Sequence, residues 1–128
     1  MVAWTDYKSE AKSRGALALE LYVAHSTPAK KPEDVKDSLP DHLAYQADLE
    51  KRGQLAFAGP MSDETGAHMQ GVGMIVYRAD SLEAARALAE SDPMHASGAR
   101  TYTLRRWMIN EGSFSVSVGL STKSVDLR

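Results

Sequence analysis

The chain has 128 residues, the size of a single domain built around one core. Its 43% hydrophobic and 25% charged residues are those of an ordinary globular protein and exclude a disordered, collagen-like or coiled-coil chain. The absence of cysteine rules out disulfides, thiolate zinc sites and cysteine nucleophiles, and a net charge of -2 without a basic stripe argues against nucleic acid as a partner.

Residues 4–14 (WTDYKSEAKSR) are rich in helix formers and stop at Gly15, which predicts an N-terminal helix. In residues 16–25, Leu17, Leu19, Leu21 and Val23 alternate with Ala18, Glu20 and Tyr22, the pattern of a first core strand with its leucines toward the helices. This longest apolar stretch contains Glu20 and is too short to span a bilayer, so no membrane contact is expected. The N-terminus lacks a basic region followed by an apolar core, which makes a cytoplasmic location the expectation. Residues 26–37, with Pro28 and Pro32, show no apolar period and read as a loop.

Ser38-Leu-Pro-Asp41 has the form of a capping box and starts a helix that Gly53 ends. Leu39, His42, Leu43, Gln46 and Leu49 form one face of it, so His42 lies on the inward stripe. Residues 55–58 and 72–78 read as two strands joined by the polar stretch 62–70, a long connection with the makings of a lid. Asp80 with Glu83 makes a second capping box, and Leu82, Ala85, Leu88 and Ala89 run as an apolar stripe until Pro93. Residues 99–108 supply a fourth strand, Phe114, Val116 and Val118 suggest a fifth, and the last ten residues read as frayed. The order is β-α-β-β-α-β, an α+β fold of split βαβ (ferredoxin-like) type, in which both helices cover one face of an antiparallel sheet. The whole chain reads as one domain with a core at 16–108, an N-terminal helical extension at 1–15 and a C-terminal extension at 109–128.

Such a sheet leaves its second face for a ligand or a second subunit. On the face expected to be open, Glu20 and Tyr22 would line a partly polar pocket, joined, depending on register, by Arg106 or by Arg105 and Trp107; the alternative is an ordinary ion pair between Glu20 and an arginine under a dimer interface. His42 and Asp92 form a second constellation, because an imidazole titrates near neutral pH and a carboxylate can fix its tautomer. They read either as a general base and its orienter, or as a satisfied core histidine and a turn aspartate. His95, three residues beyond Asp92, offers a second imidazole on the same side. His25, His68 and His95 match no metal-ligand spacing, so no metal is expected, and no G-x-S-x-G turn presents a nucleophile.

Pro40-Asp-His42-Leu, residues 53–55, Ala58-Gly-Pro60, residues 81–85 and Ser91-Asp92-Pro93, in this order and spacing, resemble the YciI-like (YCII-related) family over roughly residues 16–108. The resemblance implies a homodimeric α+β barrel similar to that of muconolactone isomerase. It also implies a His/Asp active-site pair falling on His42 and Asp92. The chemistry it implies is of lyase or isomerase type, including dehydrochlorination, on small hydroxylated ring or lactone compounds without a cofactor. The alternative is a non-catalytic dimer that binds a small metabolite or supports a partner enzyme.

Overall fold

A computed structural model describes all of residues 1–128. In chain order its elements are α1 (Trp4–Ser13), β1 (Leu19–Pro28), α2 (Pro32–Asp37), α3 (Leu39–Lys51), β2 (Leu55–Ser62), β3 (Met69–Tyr77), α4 (Leu82–Ser91), α5 (Pro93–Ala96), β4 (Arg100–Ile109), β5 (Val116–Val118) and β6 (Val125–Leu127). They form two compact units, residues 20–107 and residues 1–19 with 108–128.

The larger unit holds a four-stranded antiparallel sheet in the order β2-β3-β1-β4. Each helical connection skips one strand, so the two β-α-β crossovers interleave, as the split βαβ reading requires. In the register, Tyr22 stands opposite Tyr77, Ala24 opposite Ile75, and Ile75 in turn opposite Ala58. Tyr22, Ala24, Ile75 and Tyr77 pack with Leu49 of α3 and with Ala85 and Ala89 of α4 in the main core. Two alanines one helical turn apart give α4 a smooth face that settles close to the sheet. The Tyr45 hydroxyl donates to the Leu88 carbonyl at 2.7 Å and ties α3 to α4.

This register corrects the expected faces of β1. Tyr22 is buried toward the helices, and the leucines of β1 belong to the opposite set. Leucine cannot discriminate between the faces here because both are apolar: by alternation the second face carries Val23, Phe57, Val76 and Trp107. Phe57 and Trp107 on that face are exposed.

Four local readings also change. Residues 26–37 are not all loop, because β1 runs on to Pro28 and Pro32 starts α2 with Glu33 and Asp34 in its first turn. Ser38 does not cap α3 with its side chain; it lies in the helical region as the C-cap of α2, and its hydroxyl sits 3.4 Å from that of Ser97. At α4 the cap is Ser81, one residue beyond the expected Asp80, with its Oγ accepting from the Ala84 N–H at 3.0 Å. The polar stretch at 62–70 shrinks to a hairpin tip, since β2 and β3 extend to Ser62 and Met69. Asp63 closes this tip: its N–H donates to the His68 carbonyl at 2.8 Å and its Oδ1 accepts from the Thr65 N–H at 3.1 Å.

In the smaller unit, Ala11 of α1 packs with Ala18 and Met108, flanked by Trp4, Tyr7 and Ala16. The last ten residues are not frayed: β6 pairs with β5 in a hairpin, Val116 opposite Leu127 and Val118 opposite Val125.

Candidate functional site

The junction between α4 and α5 positions the site. Ser91 ends α4 and Pro93 opens α5 at a position where a missing N–H costs nothing, so Asp92 between them ends one helix and caps the next. Its Oδ1 accepts the Met94 N–H at 2.9 Å. Asp92 is 1% exposed, and a carboxylate this deeply buried requires donors. The second donor is His42 of α3, whose Nδ1 lies 2.8 Å from both carboxylate oxygens.

A carboxylate only accepts, so this contact assigns the Nδ1 proton to His42 and leaves its Nε2 lone pair at the other edge of the ring. Asp92 thereby fixes both the tautomer and the ring plane. The His42 side chain is 15% exposed and lines a cleft of about 780 Å³. One wall of the cleft is α2 and α3, with Val35, Leu39 and Leu43; the facing wall is the β2–β3 hairpin, with Ala58, Pro60 and Ile75. Leu39 and Leu43 are exposed because they line this cleft, not because they fall off the helical stripe.

A second constellation forms the floor. Ser26 near the end of β1 and Arg100 at the start of β4 both line the cleft. Arg100 donates from Nε to Ser26 Oγ at 2.9 Å and from Nη2 to the carbonyls of Ser26, at 2.8 Å, and of Gly71. Having accepted from Arg100, Ser26 Oγ donates to His95 Nε2, 2.9 Å away. His95 Nδ1–H in turn donates to the Ala89 carbonyl at 2.8 Å. With His95 neutral, the form its burial favours, the whole chain runs in one direction from Arg100 to the Ala89 carbonyl. Burial holds the His95 imidazole below the ordinary histidine range, with the Ala89 carbonyl and Asp92 working the other way. Its ring also rests on that of Tyr102, with centroids 4.5 Å apart.

The structure therefore brings His42 and Asp92 into contact and sets His95 behind the cleft as the partner of Ser26. Tyr22, Glu20 and Arg106 do not line the cleft. They form their own cluster, in which the Tyr22 hydroxyl donates to Glu20 Oε1 at 3.3 Å and Arg106 Nε lies 3.5 Å from the same oxygen. Burial, and then the Glu20 charge, push the Tyr22 phenol up. Residues unexpected from the sequence are Arg100, Lys30 and Lys36, all lining the cleft. A proline followed by two acidic residues at 32–34 was a helix-start signal that would have placed Lys36 on an element. Nothing in the sequence singled out Arg100 among the arginines of β4. No group of three His, Asp or Glu side chains comes together in a way that could hold a metal ion.

The His95 shift has a pH consequence. A histidine depressed in the folded state binds protons more readily when unfolded, so the stability tied to its neutral form is complete above about pH 6.5 and is lost as pH falls below it. We expect the unfolding free energy from urea titrations to fall between about pH 7.5 and pH 5, with a visibly shallower decline in His95→Gln. Identical pH slopes for the two chains would contradict the assignment.

The sequence profile of the YCII-related domain matches residues 19–108, the segment that contains the four-stranded sheet, α2 to α5 and the cleft. An uncharacterized Bacillus subtilis (strain 168) protein, YjpA, is 34% identical over 70 residues, 55% of this chain and 75% of YjpA. Among solved structures, the 5-chloro-2-hydroxyhydroquinone dehydrochlorinase TftG from Burkholderia phenoliruptrix AC1100, in complex with 2,5-dihydroxybenzoquinone, superposes with a TM-score of 0.51. It is 20% identical, and the match covers 68% of this chain and 92% of TftG, a likeness of fold. The profile match over most of the chain, with the split βαβ sheet it presupposes, shows that the chain belongs to the YCII-related domain family.

Proposed function

We propose that the cleft is an active site in which His42 acts as general acid and base on a small hydroxylated ring or lactone compound, in a reaction of lyase or isomerase type. The observation that carries this reading is the pairing of His42 Nδ1 with the buried Asp92 at 2.8 Å, which leaves Nε2 as the basic atom of a ring that lines the cleft. Nε2 takes a proton from the substrate and the released electron pair forms a new π bond. In an elimination the leaving group departs with its own bonding pair, as chloride does in a dehydrochlorination. In an isomerisation the proton returns to a different carbon. Asp92 stabilises the imidazolium in between. TftG, which shares the fold, is a dehydrochlorinase of a chlorinated hydroxyhydroquinone, which favours this reaction class.

We further propose that two copies pair through the second face of the sheet. Phe57 and Trp107 are exposed there, and large apolar side chains left exposed beside the buried Leu21 and Val76 make a surface to be buried.

For the reaction, 5-chloro-2-hydroxyhydroquinone and simple lactones serve as probes. A general base contributes about 10²- to 10⁴-fold, so His42→Gln should lower kcat/KM by that factor on any probe turned over, with Asp92→Asn following in the same direction. Unchanged turnover in His42→Gln would sink the acid–base reading; binding without turnover in the wild type would favour a carrier or accessory role. For the pairing, sedimentation should give twice the chain mass for the wild type and the single-chain mass for Trp107→Glu. A monomeric wild type contradicts it.

A further inference from the structure

Arg100 is a cation set into the cleft without a carboxylate partner. It is half-buried, and every bond it makes goes to a neutral oxygen: the Ser26 hydroxyl and the carbonyls of Ser26 and Gly71. Those acceptors are dipoles and leave the full positive charge uncompensated. Asp92 acts on Arg100 only through space, and burial, the larger influence, holds the guanidinium below its usual range while leaving it protonated. The bonds occupy Nε and Nη2 and leave the two N–H donors of Nη1 without an acceptor.

The surroundings share this sign. Lys30, Lys36 and His42 line the same cleft, and no aspartate or glutamate does. The Lys30 ammonium is turned to the Ser97 carbonyl at 2.9 Å, another neutral acceptor. Apart from these groups the walls are largely apolar, with Leu39, Leu43 and Pro60. A half-buried cation held rigid by neutral acceptors in an apolar recess is incomplete until an anion joins it. Its rigidity also depends on Gly71: at φ +79° the backbone turns its carbonyl to Arg100, and a Cβ there would come within 2.8 Å of Pro28 Cγ.

We propose that the cleft selects small organic oxyanions, carboxylates or ionised phenols and enols with an apolar body, and that Arg100 binds the charged oxygen while Leu39, Leu43 and Pro60 receive the body. Ser26 and Gly71 are positioning residues for the guanidinium. The inference rests on the cleft being the substrate site and names the class of substrate. It also gives the oxyanion that forms when His42 removes a proton from a hydroxylated ring a fixed counter-charge.

The test is equilibrium binding of benzoate and of its neutral isostere benzamide to the full chain, followed by NMR. The wild type should prefer benzoate by at least about ten-fold, with the preference shrinking as salt is raised. Arg100→Gln should abolish the preference, whereas Lys36→Gln and His42→Gln should keep it. Because Arg100 also ties β1 to β3, the guanidinium ¹⁵N signals of the wild type give a second readout: those of Arg100 should shift with benzoate and not with benzamide. Equal affinity for the two probes, a preference that survives in Arg100→Gln, or unmoved Arg100 signals would overturn the proposal. Binding in His42→Gln reports the anion site alone, so failure of the acid–base reading and failure of this one are separable.

Discussion

A carboxylate taken out of water must be met by donors or it destabilises the fold that buries it. Asp92 meets that requirement with one backbone N–H and one imidazole N–H. The first couples the carboxylate to the start of α5; the second reaches across to α3 and fixes His42. One constraint therefore sets the junction between α4 and α5, the relative placement of α3 and α5, and the tautomer of the histidine at the cleft. Removing one partner of such a pair costs about 3–5 kcal/mol in typical buried cases, because the other is left without compensation. Structure and chemistry share the same contact.

Below this pair, the Arg100–Ser26–His95–Ala89 chain of hydrogen bonds ties the ends of β1 and β4 to the last turn of α4. With His95 neutral each member has one way to point, because Arg100 only donates and the Ala89 carbonyl only accepts. The result is a neutral histidine and an oriented guanidinium on the floor of an otherwise apolar recess. His42 and Arg100 thus approach the cleft with different properties, one able to exchange a proton and the other permanently charged. That division of labour suits the conversion of a neutral or weakly acidic group into an oxyanion.

Much of this was legible in the sequence. The alternating strands, the helical stripes and the turn glycines give the β-α-β-β-α-β order, and the resemblance of short segments around His42 and Asp92 to one family points to the pair. The faces of β1 were not legible, because a sheet that is apolar on both sides puts leucine on either. That inversion puts Tyr22 on the helix side of the sheet, yet Tyr22, Glu20 and Arg106 form a cluster of their own, because they lie at the opposite ends of β1 and β4 from Ser26 and Arg100. The α4 cap slipped by one residue to Ser81, and where α2 and α3 abut Ser38 lost its side-chain cap, since it ends α2 with a helical backbone. Arg100 was invisible for a different reason: its significance lies in what it lacks, a carboxylate partner, and that depends on distant parts of the chain.

The central claim is that Asp92 holds the Nδ1 proton of His42 and so presents Nε2 as the base. The most direct measurement is the ¹⁵N chemical shift of both His42 ring nitrogens at a pH where the ring is neutral, in the wild type and in Asp92→Asn. The account predicts a protonated Nδ1 and an unprotonated Nε2 in the wild type, giving way to a tautomer mixture in the variant. An Nε2–H tautomer in the wild type, or a tautomer indifferent to the loss of the carboxylate, would contradict it.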